Sequence, residues 1–500
     1  MDLREKGFLM MPTTWITRLR ERMMEHPQFP WWVFSFVTIG TFMVNVDMSA
    51  INIALPTLKK AFDTSIDTLQ WVLTGYLLII TGILPLVGKL SDIYGRKKFF
   101  IAGVLLFGLF SSLAATAQSL NALIAYRMLQ GIGSALIQGN VMSIVADHFP
   151  PERRGRPLGM IGSVVAIGTI VGPSLGGVLI RYAGWPAIFW LNVPFSVISF
   201  VGALILLKGG RRQGPQPAVD YLGATYFFVA ISLLMLFISS LGKPSFLPGS
   251  LSSLQDVILT ILTVIFWYLY IHRSLRHKDP LIHLSLFRIR TFSIGNSVGL
   301  LSYMLLAVPQ ITLPFYLEFV YGYTPDVVGL LMMVQALAMI IVAPLAGVWS
   351  ERVGTRRPAL VGLCVTFLSL VLMALAGTPL LPFSGLVGLS VMIVGLALFG
   401  TGMGLFQAPN NVAILNSVPK EQTGLTGGII ATVRNFGRVL GVALVVLIYE
   451  RVSNGLVIPS AVTAGMQSVM WIGALATLIG WALVYFGQKD PQKKEVREAR

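Results

Sequence analysis

Asp47, Arg127, Arg434 and Arg438 each lie inside a long apolar run, where an uncompensated charge is costly and by default marks function. Asp47 stands about 15 residues into the first run, roughly 22 Å from the inner edge at 1.5 Å per residue. Arg127 stands about six residues into the fourth run, which enters from the opposite side, so roughly 9 Å below the outer edge. In a hydrocarbon core of about 30 Å the two share a level, and an Asp47–Arg127 ion pair is geometrically allowed. Arg438, about 15 residues into the thirteenth run, reaches a similar level and competes for Asp47. Arg434 lies one turn nearer the midplane on the same face. Burial disfavours a carboxylate's charge and a nearby guanidinium favours it. A change in water access or in arginine distance would therefore make Asp47 take up or release a proton. The alternative use of such a pair is to fix helix register. One proton moving inward releases ~2.3 kcal/mol per 100 mV and ~1.4 kcal/mol per pH unit. That could support a substrate gradient on the order of a hundredfold.

A second set of candidates sits between runs. Gly88-Lys-Leu-Ser-Asp92-Ile-Tyr-Gly95-Arg96-Lys97-Lys98 is a basic, glycine-bounded loop. Its grammar returns about 259 positions later as Gly347-Val-Trp-Ser-Glu351-Arg-Val-Gly354-Thr-Arg356-Arg357, the mark of a long-period internal repeat. Duplicated helical halves are the usual plan of a transporter. Asp147 and His148 end the fourth run within reach of Arg96, and Glu318 emerges at the outer end of the ninth. The second half carries Leu where the first carries Asp47, so this charge breaks the repeat.

The elements that must hold these residues are membrane helices. Five hundred residues that are 55% hydrophobic and 12% charged, with mean hydropathy +0.76, exceed what a soluble chain carries. Fourteen runs long enough to cross a bilayer start near residues 32, 69, 99, 121, 157, 185, 221, 254, 291, 326, 358, 384, 423 and 463. No cleavable signal peptide is expected, since residues 1–30 are polar and basic near the start. Of the 37 Lys/Arg, only Lys59, Lys60, Arg181, Lys243 and Arg451 fall on the outer side when both termini are inside. The net charge of +16 thus reports topology and anionic headgroups, not a nucleic acid. The reading is an all-α polytopic membrane protein of two six-helix bundles plus two inserted helices. Its parts are an inner N-terminal segment (1–30), a first bundle (31–208), a linker with two extra spans (209–290), a second bundle (291–488) and an inner tail (489–500).

Small residues recur at four-residue spacing where helices must approach closely: Gly168, Gly172 and Gly176, then Gly400 and Gly404, then Gly437 and Gly441. Pro173 weakens the helix beside Gly172 and allows a kink. Gly172-Pro-Ser174-Leu-Gly176 matches a nucleophile-elbow pattern, but inside a membrane helix and far from every histidine, so enzymatic use is not expected. No metal-ligand cluster or ATPase motif is present in the sequence, so energy would come from an ion gradient and no cofactor is expected.

At these residues the chain resembles the major facilitator superfamily, and within it the fourteen-span drug:proton antiporters of the EmrB/QacA type, over residues 32–487. Residues 88–98 look like the superfamily's signature loop. Asn45-Val-Asp47-Met-Ser-Ala-Ile-Asn52-Ile-Ala-Leu-Pro56 resembles the first-span motif of the fourteen-span group. Arg127-Met-Leu-Gln130-Gly131-Ile-Gly133 is similar to a fourth-span motif linked to proton transfer. Gly168-Thr-Ile-Val-Gly172-Pro173-Ser-Leu-Gly176-Gly177 resembles the antiporter motif of span five. The resemblance implies alternating access around a central cavity, with Gly88, Asp92, Gly95, Arg96, Asp147 and Glu351 in an inner gate. It implies that Asp47 carries the proton and Arg127 tunes it. Trp71, Tyr76, Gln130, Asn410, Asn411, Arg434 and Glu318 are cavity candidates. Two departures stand out: Glu318 where the family has Gln, and Arg438 where a small residue is usual. The extra cation beside the cavity favours zwitterionic, anionic or lipid-like substrates. The expected activity is proton-coupled export of amphipathic drugs across a bacterial inner membrane; export of a lipid or endogenous metabolite is the alternative. Small-molecule substrate, protons and the bilayer are the expected partners.

Overall fold

The computed structural model describes residues 25–150, 155–207, 219–241, 250–277, 280–375, 386–418, 423–456 and 458–487. The terminal segments and the linker that follows residue 207 lie outside them. Fourteen long helices account for the described chain, and no strand occurs among the described residues. The first half comprises α1 (Phe29–Phe62), α2 (Ile66–Tyr94), α3 (Arg96–Ala115), α4 (Leu120–His148), α5 (Gly155–Ala183) and α6 (Pro186–Leu206). Then come α7 (Tyr221–Leu241) and α8 (Ser250–Arg276). The second half comprises α9 (Arg290–Phe319), α10 (Pro325–Val353), α11 (Arg356–Ala374), α12 (Leu386–Asn416), α13 (Thr423–Ser453) and α14 (Pro459–Gly487). Thirteen are long and apolar enough to span a membrane, and α5 adds the shorter apolar stretch Ile167–Ala183. Every helix begins within four residues of a run start read from the sequence.

Local chemistry sets the boundaries. Ser65 and Ser119 cap helix starts by accepting from the amides of Thr68 and Ala122 at 3.2 and 3.3 Å. Pro186 and Pro325 open α6 and α10, where a missing N–H costs nothing. The second glycine of each duplicated loop has a backbone reason. Gly95 and Gly354 adopt φ of +103° and +80°, which turns one helix into the next with almost no connecting chain.

The bundles are held by close backbone contact, as expected where lipid offers no hydrophobic drive for helix association. A Cβ at Gly168, Gly172 or Gly176 would stand within 3.0 Å of α1 atoms. Gly437 and Gly441 follow Gly168 and Gly172 by 269 positions each and meet α9 the same way, through Leu300 O and Met304 O. Gly103 packs on Gly133 between α3 and α4, and Gly362 packs on Gly402 between α11 and α12. The two halves are therefore copies in packing as well as in sequence. The inserted pair lies over the seam between them: Phe228 of α7 fills the space beside Gly82 of α2, and the Trp267 ring of α8 lies tilted against Phe436 of α13, centroids 6.0 Å apart. Asp220 and Arg273, 2.6 Å apart, pin the inner end of this pair.

The halves touch on the outer side and part on the inner side. Gly329 of α10 leaves room for Pro173 O, and Gly177 of α5 leaves room for Pro325 O. Arg181 reaches Asp326 at 2.6 Å, Lys60 reaches Glu318 at 3.7 Å, and the Asp67 amide donates to Glu450 at 3.2 Å. At the inner side, a Cβ on Gly88, Gly347, Gly427 or Gly428 would meet nothing within 4 Å among the described residues. The molecule faces inward.

Candidate functional site

Asp47 and Arg127 form the ion pair that their depths allow. Arg127 Nη1 donates to Asp47 Oδ2 at 2.6 Å, and both side chains are fully buried. Burying two charges is costly unless their remaining hydrogen-bonding capacity is met. Here most of it is. Asn192 Nδ2 donates to Asp47 Oδ1 at 2.8 Å, and Gln130 Nε2 approaches the same oxygen at 3.4 Å. Arg127 also donates to Gln130 Oε1 at 2.7 Å and, through Nε, to Val72 O at 3.3 Å. Its Nη2 has no partner among the described residues. The guanidinium lies 4.1 Å from the Tyr76 ring centroid and 5.7 Å from that of Phe189, a stacked arrangement that suits a weakly hydrated cation.

Asn192 and Ser111 are the members of this network that the sequence reading missed. Ser111 Oγ accepts from Asn192 at 2.9 Å and donates to Phe189 O, so α3 and α6 fix the amide that faces Asp47. A single Asn in a 21-residue helix whose other polar residues are two serines was the available signal. Asn192→Leu should lower stability by about 1–3 kcal/mol, the cost of leaving a buried acceptor short of a donor. A thermal-unfolding series on purified protein reads that loss.

A narrow cavity lies between the halves beside this pair. From α1 it is lined by Asn45, Met48, Ser49 and Asn52, an i, i+3, i+4, i+7 stripe. Tyr76 of α2, Thr169 of α5, Gln310 of α9 and Arg438 of α13 complete the polar wall. Leu73, Leu77, Leu306 and Val442 supply apolar surface. Tyr76 is the shared wall: one side lines the cavity, the other stacks on Arg127, and its hydroxyl donates to Ser134 at 3.0 Å.

Several expected residues stand elsewhere. Arg438 does not reach Asp47; its Nη1 is 4.0 Å from Met48 Sδ, and it has no acidic partner among the described residues. Successive helical residues point about 100° apart, so Asp47 turns into the first bundle while Met48 turns to the cavity. Glu318 is at the outer closure with Lys60, not in the cavity. Gln130 is buried inside the ion-pair network. Asn410 is also buried and donates to Gly295 O at 3.0 Å, joining α12 to α9. Trp71 packs against the core at the outer end of α2. Asn411 and Arg434 are half-buried on α12 and α13, and neither is among the described lining residues.

The inner loop of the first half makes a latch within its own bundle. Arg96 Nη2 pairs with Asp92 at 2.7 Å, and Nη1 pairs with Asp147 at 2.5 Å and donates to Ser143 O at 3.3 Å. These groups are partly exposed, so they orient helix ends more than they stabilise them. Glu351 has no such role here: it is exposed and makes no ion pair with a described residue. The cause is in the repeat, because Thr355 replaces Arg96 and Asn416 replaces Asp147. The next base does the same work in both copies. Lys97 donates to Leu204 O and Leu207 O at the end of α6, and Arg356 donates to Tyr485 O near the end of α14.

Comparison with known proteins agrees with this architecture. The chain is 31% identical over 472 residues to the riboflavin transporter RibZ of Clostridioides difficile, covering 93% of this chain and 98% of that protein. It is 28% identical to the tetracenomycin C resistance and export protein of Streptomyces glaucescens, covering 85% and 77%. It is 29% identical to the multidrug resistance protein Stp of Mycobacterium tuberculosis, covering 81% and 73%. Among solved structures, a bacterial homologue of the lysosomal transporter Spinster in an inward-facing, unoccupied conformation superposes with a TM-score of 0.67 at 14% identity, covering 92% of this chain and 97% of that one. The family model described as Major Facilitator Superfamily matches residues 37–311 and 295–500, and the chain belongs to that superfamily of multi-pass membrane transporters.

Proposed function

We propose that this protein is a proton-coupled antiporter that exports amphipathic compounds across a bacterial inner membrane by alternating access. One observation carries the reading: a fully buried carboxylate–guanidinium pair is separated from the central cavity by the single ring of Tyr76. A molecule entering the cavity touches Tyr76, and displacement of that ring moves the guanidinium paired with Asp47. Water then reaches the carboxylate, and Asp47 exchanges its proton with the side that is open. Coupling requires only that the proton-loaded and substrate-loaded states favour opposite openings. Relatives named for export of tetracenomycin C and for multidrug resistance support export as the direction. Within the superfamily, the fourteen-helix layout and the motifs around Asp47, Arg127 and Gly168–Gly177 support placement with the fourteen-span drug:proton antiporters. The latch on Asp92, Arg96 and Asp147 is assigned to the inner gate, and Gly168, Gly172 and Gly176 to the rigid contact of α1 with α5. No cofactor takes part in this scheme; the proton gradient supplies the energy.

The test uses inside-out vesicles containing the protein, with cationic, neutral and anionic compounds added in turn while proton release is followed. Substrate-triggered proton movement is expected in the native protein and none above background in Asp47→Asn. Equal movement in both would end the assignment of Asp47 as the proton carrier.

A further inference from the structure

We propose that the central cavity selects substrates bearing an anionic, hydrogen-bond-accepting group on an apolar body, with Arg438 as the residue that receives that group. This rests on the exporter reading above and names its substrate class. Among the described lining residues Arg438 carries the cavity's charge and no acid opposes it. Its neighbour in the cavity wall is a thioether, Met48 Sδ at 4.0 Å, which accepts only weakly. Arg434, one turn away on α13, adds a like charge and has no hydrogen-bond partner among the described residues. A guanidinium facing a water-filled space between apolar walls attracts an anion and repels a cation.

The remaining polar groups sharpen this. Asn45 and Asn52 donate their amide N–H groups to Thr41 O and Met48 O on their own helix, at 2.8 and 3.3 Å. Ser49 and Thr169 likewise donate to Asn45 O and Val165 O. The hydroxyl donors of this wall are spent; each of the two amides keeps a second, neutral N–H, and beyond these only Gln310 and Arg438 have N–H groups to offer. A ligand's accepting group thus has one strong destination, the guanidinium, which binds carboxylates and similar planar anions through paired donors. The Asn45 and Asn52 amide oxygens remain as acceptors for N–H or O–H groups on the same ligand. Leu73, Leu77, Leu306 and Val442 receive its apolar part. The membrane potential, negative inside, works with expulsion of an anion and against expulsion of a cation.

Two dyes that share a tricyclic scaffold and differ in charge, anionic fluorescein and cationic rhodamine 123, provide the probe. The full chain is reconstituted in proteoliposomes, and transport driven by an imposed pH gradient is measured for native protein, Arg438→Gln, Arg438→Lys and Asp47→Asn. Native protein is expected to move fluorescein at least tenfold better than rhodamine 123. Arg438→Gln should collapse that ratio to one or below, while Arg438→Lys, which keeps the charge, retains a preference for fluorescein. Elution as a single species from size exclusion certifies that each variant is folded. Gradient-driven transport that prefers rhodamine 123, or a ratio unaltered in Arg438→Gln, would overturn the selectivity proposal while leaving the exporter reading intact. Movement of neither dye above the Asp47→Asn background would overturn both.

Discussion

Arg127→Leu is expected to abolish substrate-driven proton movement and to lower the thermal midpoint of the purified protein. Adding Asp47→Asn to it should recover most of the midpoint and none of the transport. The first substitution leaves a carboxylate at a site with no solvent and no cation, held only by Asn192 and Gln130. Breaking a buried pair by removing one partner costs about 3–5 kcal/mol, because the other charge stays behind uncompensated. A carboxylate in that position escapes the cost by keeping a proton, and a group that never releases its proton cannot couple. The double variant removes the charge altogether, and an Asn at position 47 can still exchange hydrogen bonds with Asn192 and Gln130. The stability of the pair and its use are thereby separated. A pair that serves only to fix register predicts the opposite pattern: the double variant would transport once its fold was restored. Midpoints and vesicle proton fluxes on the native protein, Arg127→Leu and the double variant decide between them.

How much of this was legible in the sequence follows from what hydropathy can encode. It encodes depth well. Fourteen helix starts, the shared level of Asp47 and Arg127, and the duplicated Gly88 and Gly347 loops all come from counting residues along apolar runs. Azimuth is another matter. In a membrane bundle the lipid-facing and core-facing sides are both apolar, so the pattern that orients a soluble helix is faint. Asp47 and Met48 are neighbours in sequence yet face different compartments, which is why Arg438 was expected at the wrong one. The stripe Asn45, Met48, Ser49 and Asn52 did carry the azimuth of α1, since polar residues at helical spacing in a span must face protein or water. Pairing across long separations is not in the pattern either: Asn192 meets Asp47 over 145 positions and Asn410 meets Gly295 over 115. The repeat also misleads where one copy has drifted, as at Glu351, whose partners became Thr355 and Asn416.

The second large effect concerns the outer closure, and it distinguishes a contact that opens from one that does not. Gly329→Val and Gly400→Val both push a side chain into backbone. A Cβ at Gly329 would stand 2.2 Å from Pro173 O, and one at Gly400 would stand 2.0 Å from Gln335 O. The first contact joins α10 to α5, across the two halves, while the second joins α10 to α12 within one half. Overpacking costs about 1–3 kcal/mol in either place. At Gly400 the only relief is to unpack the second bundle, so the purified protein should unfold earlier. At Gly329 the molecule has another relief, which is to separate the halves on the outer side as the transport cycle requires. A penalty of that size on the inward-facing state alone shifts the inward–outward balance by about 5- to 150-fold. The shift can be read with a cysteine at Gln310, which lines the cavity, in a Cys364→Ala background. An impermeant maleimide added from the outer side should label it slowly in the native frame and much faster with Gly329→Val. Gly400→Val should lower the thermal midpoint without accelerating labelling. If Gly329→Val instead destabilises the protein and leaves Gln310→Cys protected, the α5–α10 contact is a fixed part of the fold and the outer gate must lie elsewhere, at the Lys60–Glu318 and Asp67–Glu450 contacts.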